Sequence, residues 1–71
     1  MSSKVGQNIR RLRQEQGMSL EQLAVASSLG SDARRYIWAI ESGRLKEPSA
    51  MKLLKIARAL GVRIEELLEA Q

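Results

Sequence analysis

The feature that most constrains this chain is its punctuation. Glycines at 17, 30, 43 and 61 cut it into short stretches, and between them apolar residues recur at helical, not alternating, spacing. Glycine readily takes the left-handed backbone that closes a helix, so the pattern predicts a series of short helices. Val5, Ile9, Leu12 and Gln16 mark the inward face of the first, with Arg10, Arg11 and Arg13 between them and Gly17 as the stop. Ser19 followed by Gln22 is a capping box for the second, whose inward face carries Leu20, Leu23 and Ala24. The stretch SSLGSDARR breaks the period and reads as a turn, offering Ser31 or Asp32 as the next N-cap.

The third helix then turns Ile37, Ile40 and Ala33 inward and ends at Gly43. Its outward face holds Arg34, Arg35, Trp38 and Ala39. RLKEPS must be a loop, because Pro48 lacks the amide hydrogen that a helix interior requires, and Ser49 can cap the next helix. Met51, Leu53, Leu54, Ile56, Ala57 and Leu60 make that helix the most apolar of the series, closed by Gly61 and expected at the centre of the core. Ile64, Leu67 and Leu68 form a last short helix, with Glu65 and Glu66 in its first turn, where the helix dipole favours carboxylates.

Composition narrows the function. A chain of 71 residues is expected to form one domain, 1–71, since one this short buries only about 60% of its unfolded surface. The absence of cysteine and histidine removes disulfides, thiolate nucleophiles, the usual zinc ligands and the commonest general base, so no metal or cofactor is expected. Tyr36 and Trp38 are the only aromatic residues, which disfavours an aromatic-lined pocket, and no small-molecule ligand is expected. No apolar run approaches the roughly 20 residues of a membrane span, and the start, MSSKVGQNIRRLR, has no apolar stretch behind its basic residues. A cytoplasmic protein is expected. The net charge is +4, with basic residues crowding Lys4 to Arg13 and Arg34 to Lys46 and an acidic tail, IEELLEAQ. Such clustering suits a polyanion binder, although charge alone equally fits a solvated basic surface.

Taken in order, a first helix ending Leu-Arg-x-x-x-x-Gly, then Met-Ser-x-x-x-Leu-Ala, then IWAIESGRLKEPSAMKLLKIARALGV resemble the Cro/phage-repressor helix-turn-helix family, over about nine-tenths of the chain. The resemblance implies an all-α, compact five-helix bundle of the lambda-repressor-like type, in which helices 2 and 3 form the helix-turn-helix. It implies sequence-specific binding of double-stranded DNA by a transcriptional regulator, expected to act as a repressor and to bind as a homodimer on a palindromic site. The recognition helix, about Asp32–Ser42, would enter the major groove while the second helix crosses the phosphate backbone. Arg34 and Arg35 would then start the reading face, Ala39 would suit a thymine methyl, and Trp38 would either meet the bases or else fold over the first-helix arginines or pack at the domain edge. Arg44 and Lys46 fall where the family lays basic side chains on phosphates, and Arg10, with Lys4, extends that track. Arg13 and Glu41 match a pair that clamps helix 1 to helix 3 in relatives.

Two departures stand out. Leu20 occupies a position where the family commonly carries a phosphate-binding Gln, so that contact is lost or moves to Ser19 or Gln22. About three extra residues lie before Ile37, lengthening the turn; an extra helical turn beginning at Ser31 or Asp32 is one way to absorb them. The lost Gln and the outward Trp38 also fit a rival reading, a helical protein-interaction module such as an antitoxin domain with secondary DNA binding. Catalysis would have to use Glu41 with Arg13, or Glu65 with Glu66, and neither pair stands with a nucleophile or a phosphate loop. Leu67, Leu68 and the Val62 loop are candidates for a self-association surface, or else the lid of the core.

Overall fold

The computed structural model describes residues 4–69; residues 1–3 and 70–71 of the expected domain lie outside the described residues. Five α-helices are present among the described residues: α1 Lys4–Glu15, α2 Leu20–Ser27, α3 Ala33–Glu41, α4 Ala50–Leu60 and α5 Ile64–Leu68. Their ends follow from local chemistry. Gly17, Gly43 and Gly61 all have positive φ, as the stops require. At the start of α2 the Ser19 hydroxyl accepts from the Gln22 amide (3.0 Å) while the Gln22 side-chain oxygen accepts from the Ser19 amide (2.7 Å), so the capping box is complete. Ser49 accepts from the Lys52 amide at the start of α4.

The helices meet in one apolar cluster. Ile9, Leu23, Ile37, Ile40, Ile56 and Leu67 are wholly buried, one or more from each helix, so no helix can leave without exposing the others. α2 packs on both α3 and α4, α1 on α3 and α5, and α4 on α5. Two contacts make α1 fit. Gly6 lies against the backbone at the end of α3, where a β-carbon would run into the Ile40 carbonyl oxygen. Buried Asn8 donates its amide to the carbonyls of Leu67 (2.8 Å) and Glu69 (2.7 Å), satisfying the end of α5.

Several expectations change. The extra residues before α3 do not form a helical turn. They widen the connection, with Ser28 in the left-handed region (φ 57°) and Gly30 at φ 102°, before the Ala33 amide closes on the Gly30 carbonyl. Asp32 holds the N-cap position, but at φ −97°, ψ 12° it is not extended and its side chain makes no capping bond. Met51 is 69% exposed, because α4 buries residues 53, 56, 57 and 60 and position 51 falls off that stripe. α1 ends at Glu15, and exposed Gln16 instead donates its side-chain amide to the Leu60 carbonyl (2.7 Å). Leu67 is core, and of the self-association candidates Leu68 is the one exposed, at 51%.

Candidate nucleic-acid interface

α3 has two unlike faces because its sequence alternates at helical period. Ala33, Ile37, Ile40 and Glu41 are buried, whereas Arg34, Arg35 and Trp38 stand exposed and Ala39 is half-buried at the edge beside Arg35. The helix is oriented through one ion pair. Arg13 on α1 donates from Nε to Glu41 Oε2 (2.9 Å) and from Nη2 to Glu41 Oε1 (3.0 Å), a bidentate contact in which the carboxylate side chain is only 7% exposed. Its remaining Nη1 donates to the Met18 carbonyl (2.8 Å). One side chain therefore ties α1, the α1–α2 turn and the end of α3 together. Hydrogen bonding to Glu41 raises the Arg13 pKa above its ordinary value, against the opposing pull of burial. Arg13 and Glu41 are thus a clamp, and of the second candidate pair, Glu65 and Glu66, Glu66 accepts from the Arg63 amide at the start of α5 (3.1 Å).

The exposed face of α3 continues into its neighbours. After Gly43 the chain folds back, the Leu45 amide donating to the Ala39 carbonyl (2.9 Å), and the Arg44 guanidinium lies over the Trp38 ring, 5.2 Å from its centroid. Trp38 is 44% exposed. On its other flank, Leu20, Arg34, Arg35 and Trp38 line an open hollow of about 380 Å³. A smaller one, about 190 Å³, is bordered by Arg10, Arg13, Leu20, Trp38, Glu41 and Ser42. Arg10 thus shares a surface with the α3 face, and the two expectations for Trp38 are not exclusive: the indole borders α1, leans on Arg44 and still opens outward. A third hollow, about 340 Å³, opens beside Asp32, Arg35, Tyr36, Ala39 and Leu45.

The capping box uses acceptors only. Both residues are exposed, and the box occupies neither the Ser19 hydroxyl hydrogen nor the Gln22 Nε2 donors, so capping and anion binding can coexist there. Lys46 is exposed in the loop after α3. Sequence reasoning missed Tyr36 and Lys52. The Ser49 amide donates to the Tyr36 hydroxyl oxygen (3.2 Å), and the Lys52 ammonium sits 4.4 Å from the Tyr36 ring centroid. A lysine in the first turn of α4 opposes the helix dipole, and that anomaly was the available signal. Among the described residues no group of three or more potential ligands could hold a metal ion, and no helix is long and apolar enough to cross a membrane.

The chain is similar to known helix-turn-helix proteins in sequence and in fold. The helix-turn-helix domain family matches residues 6–70. The HTH-type transcriptional regulator y4dJ of Sinorhizobium fredii is 36% identical over 67 residues, covering 94% of this chain and 82% of that protein. The crystal structure of the restriction-modification controller protein C.AhdI from Aeromonas hydrophila superposes with a TM-score of 0.80 at 39% identity, over 90% of this chain and 91% of the other.

Proposed function

Because the chain belongs to the helix-turn-helix family of the Cro and phage-repressor type, we propose that it is a transcriptional regulator that binds a specific site on double-stranded DNA, acting by binding and not by catalysis. The observation that carries this reading is the outward face of α3: two exposed arginines and an exposed indole on a helix whose opposite face is locked into the core and clamped through Glu41. Such a helix fits the major groove. Arg34 and Arg35 supply the paired donors that guanine O6 and N7 accept, and Ala39 offers a methyl-sized contact. Ser19, Gln22, Arg10, Arg44 and Lys46 surround that face as phosphate ligands, which set register without reading sequence. The role belongs in the compartment that holds the DNA, the cytoplasm of a prokaryote.

Selection from randomised duplexes tests the reading. A defined consensus is expected, and recovery of unenriched sequence would overturn it. One recognition helix reads only a few base pairs, so the protein acts as a homodimer on a palindromic site, presenting two α3 helices about 34 Å apart along the duplex. The exposed Leu68 with the half-buried Val62 and Ile64 supports a self-association surface at α5. Sedimentation with the selected duplex should give two protomers per site; one protomer at saturation would exclude the dimer.

A further inference from the structure

The hollow between α2 and α3 is chemically lopsided. It is lined by two apolar side chains, Leu20, at the first position of α2, and Trp38, and by two arginines, Arg34 and Arg35. Trp38 is braced by Arg44, and Leu20 is half-buried, packed against the core. The two apolar walls are therefore held in place. Against Leu20 and Trp38 a charged group loses hydration without replacement, whereas Arg34 and Arg35 offer donors to a polar edge beside them. An apolar group next to a hydrogen-bonding base edge therefore suits the whole lining, where a phosphate would use the arginines and leave the apolar half unmatched.

We propose that this hollow reads the 5-methyl group of a pyrimidine adjacent to the guanine that Arg34 or Arg35 contacts, so that the protein recognises a thymine–guanine or 5-methylcytosine–guanine neighbour pair. The inference rests on the proposed DNA-binding function and names the chemistry of its target. The C5 methyl group projects into the major groove close to the backbone of its own strand. A cleft between a helix that crosses the backbone and a helix that reads bases is positioned to meet it. Leu20 thus exchanges a phosphate anchor for a methyl contact, turning a sequence-neutral position into a discriminating one.

The test uses the full chain and the duplex obtained by selection. Each thymine is replaced singly by deoxyuridine, which removes only the methyl group, and each cytosine beside a guanine by 5-methylcytosine, which adds only that group. One thymine adjacent to a guanine should show about fourfold weaker binding as deoxyuridine, the ratio that burial of one such carbon provides. Cytosine at that position should bind more tightly when methylated. In Trp38→Ala and Leu20→Gln the ratio between methylated and unmethylated duplexes should fall to one, and in Leu20→Met it should persist. Because the ratio is taken within each variant, loss of overall affinity does not obscure it, and the exposed Trp38 serves if Leu20→Gln fails to fold. A consensus whose thymines all tolerate deoxyuridine and whose cytosines beside guanine gain nothing from methylation, or a ratio unchanged in Trp38→Ala, overturns this inference and leaves the DNA-binding reading intact. Absence of any consensus overturns both.

Discussion

At the scale of single residues, two contacts decide whether α3 can be presented at all. The Arg13–Glu41 pair is largely buried, so truncating either partner strands the other. Glu41→Ala and Arg13→Ala should each lower the unfolding free energy by roughly 3–5 kcal/mol, against about 1 kcal/mol or less for an exposed pair. For a chain whose total stability is of the order of 0.1 kcal/mol per residue, that is a large part of the whole, and urea unfolding reads it directly. The raised arginine pKa keeps the guanidinium charged through the neutral and mildly basic range, so the arginine's side of the pair is lost only in strong base as pH rises through the folded value. The arginine therefore makes no switch near neutrality. Gly6 is the second contact. Alanine would gain about 0.5–1 kcal/mol of helix propensity, but its β-carbon falls on the Ile40 carbonyl oxygen, where backbone and not a flexible side chain must yield. Overpacking of this kind costs roughly 1–3 kcal/mol, so Gly6→Ala should be net destabilising, and an unchanged urea midpoint would contradict the close α1–α3 approach.

At the scale of elements, α2 carries a cap whose atoms divide between stability and binding. Ser19→Ala removes the acceptor for the Gln22 amide and should cost about 1 kcal/mol. Ser19→Asp keeps an acceptor and should unfold at the urea midpoint of the parent, yet bind duplex DNA more weakly, since it lacks the hydroxyl donor and adds a negative charge beside phosphate. Equal affinities for Ser19→Asp and the parent would remove Ser19 from the DNA contacts. Helix ends like this one were legible in the sequence because a cap is a local event: Ser19, Ser49, Gly17, Gly43 and Gly61 act on residues within a turn of themselves. Gly6 and Asn8 were not legible, since their partners, Ile40 and Leu67, lie far along the chain. The long α2–α3 connection lay between these cases. Its extra length was countable, but whether it would extend a helix or widen a turn depended on Ser28 and Gly30 taking positive φ. Leu20 was visible as a missing anchor, while its new neighbours emerged only when α3 brought Trp38 and Arg34 beside it.

At the scale of the whole molecule, the proposed function divides the basic residues around α3 into readers and anchors, and the two should fail differently. Arg34 and Arg35 stand on the outward face of a helix fixed by the core. Replacing either with alanine should weaken binding to the selected duplex and relax discrimination at one position by roughly 1–3 kcal/mol, because a donor pair to a base edge is lost. Lys46, exposed in the loop after α3, should behave as a pure anchor. Its alanine variant should lose affinity almost equally for selected and scrambled DNA, with the log–log salt dependence shallower by about one unit, as expected for one phosphate contact fewer. Arg44 has a mixed role under the proposed function, because the guanidinium proposed to meet phosphate also lies over the Trp38 ring. Arg44→Ala should show the same loss of salt slope as Lys46→Ala, together with partial loss of preference at the base step that Trp38 borders. The wide turn before α3 bears most on the outcome, since the connection sets the angle at which the helix meets the groove. Salt-dependent titrations of the four alanine variants against both duplexes give each residue a slope and a specificity ratio. If Arg34→Ala and Arg35→Ala both lowered affinity equally on the two duplexes, α3 would be lying along the phosphates, and the reading face would have to be sought among Trp38, Ala39 and the Asp32 edge.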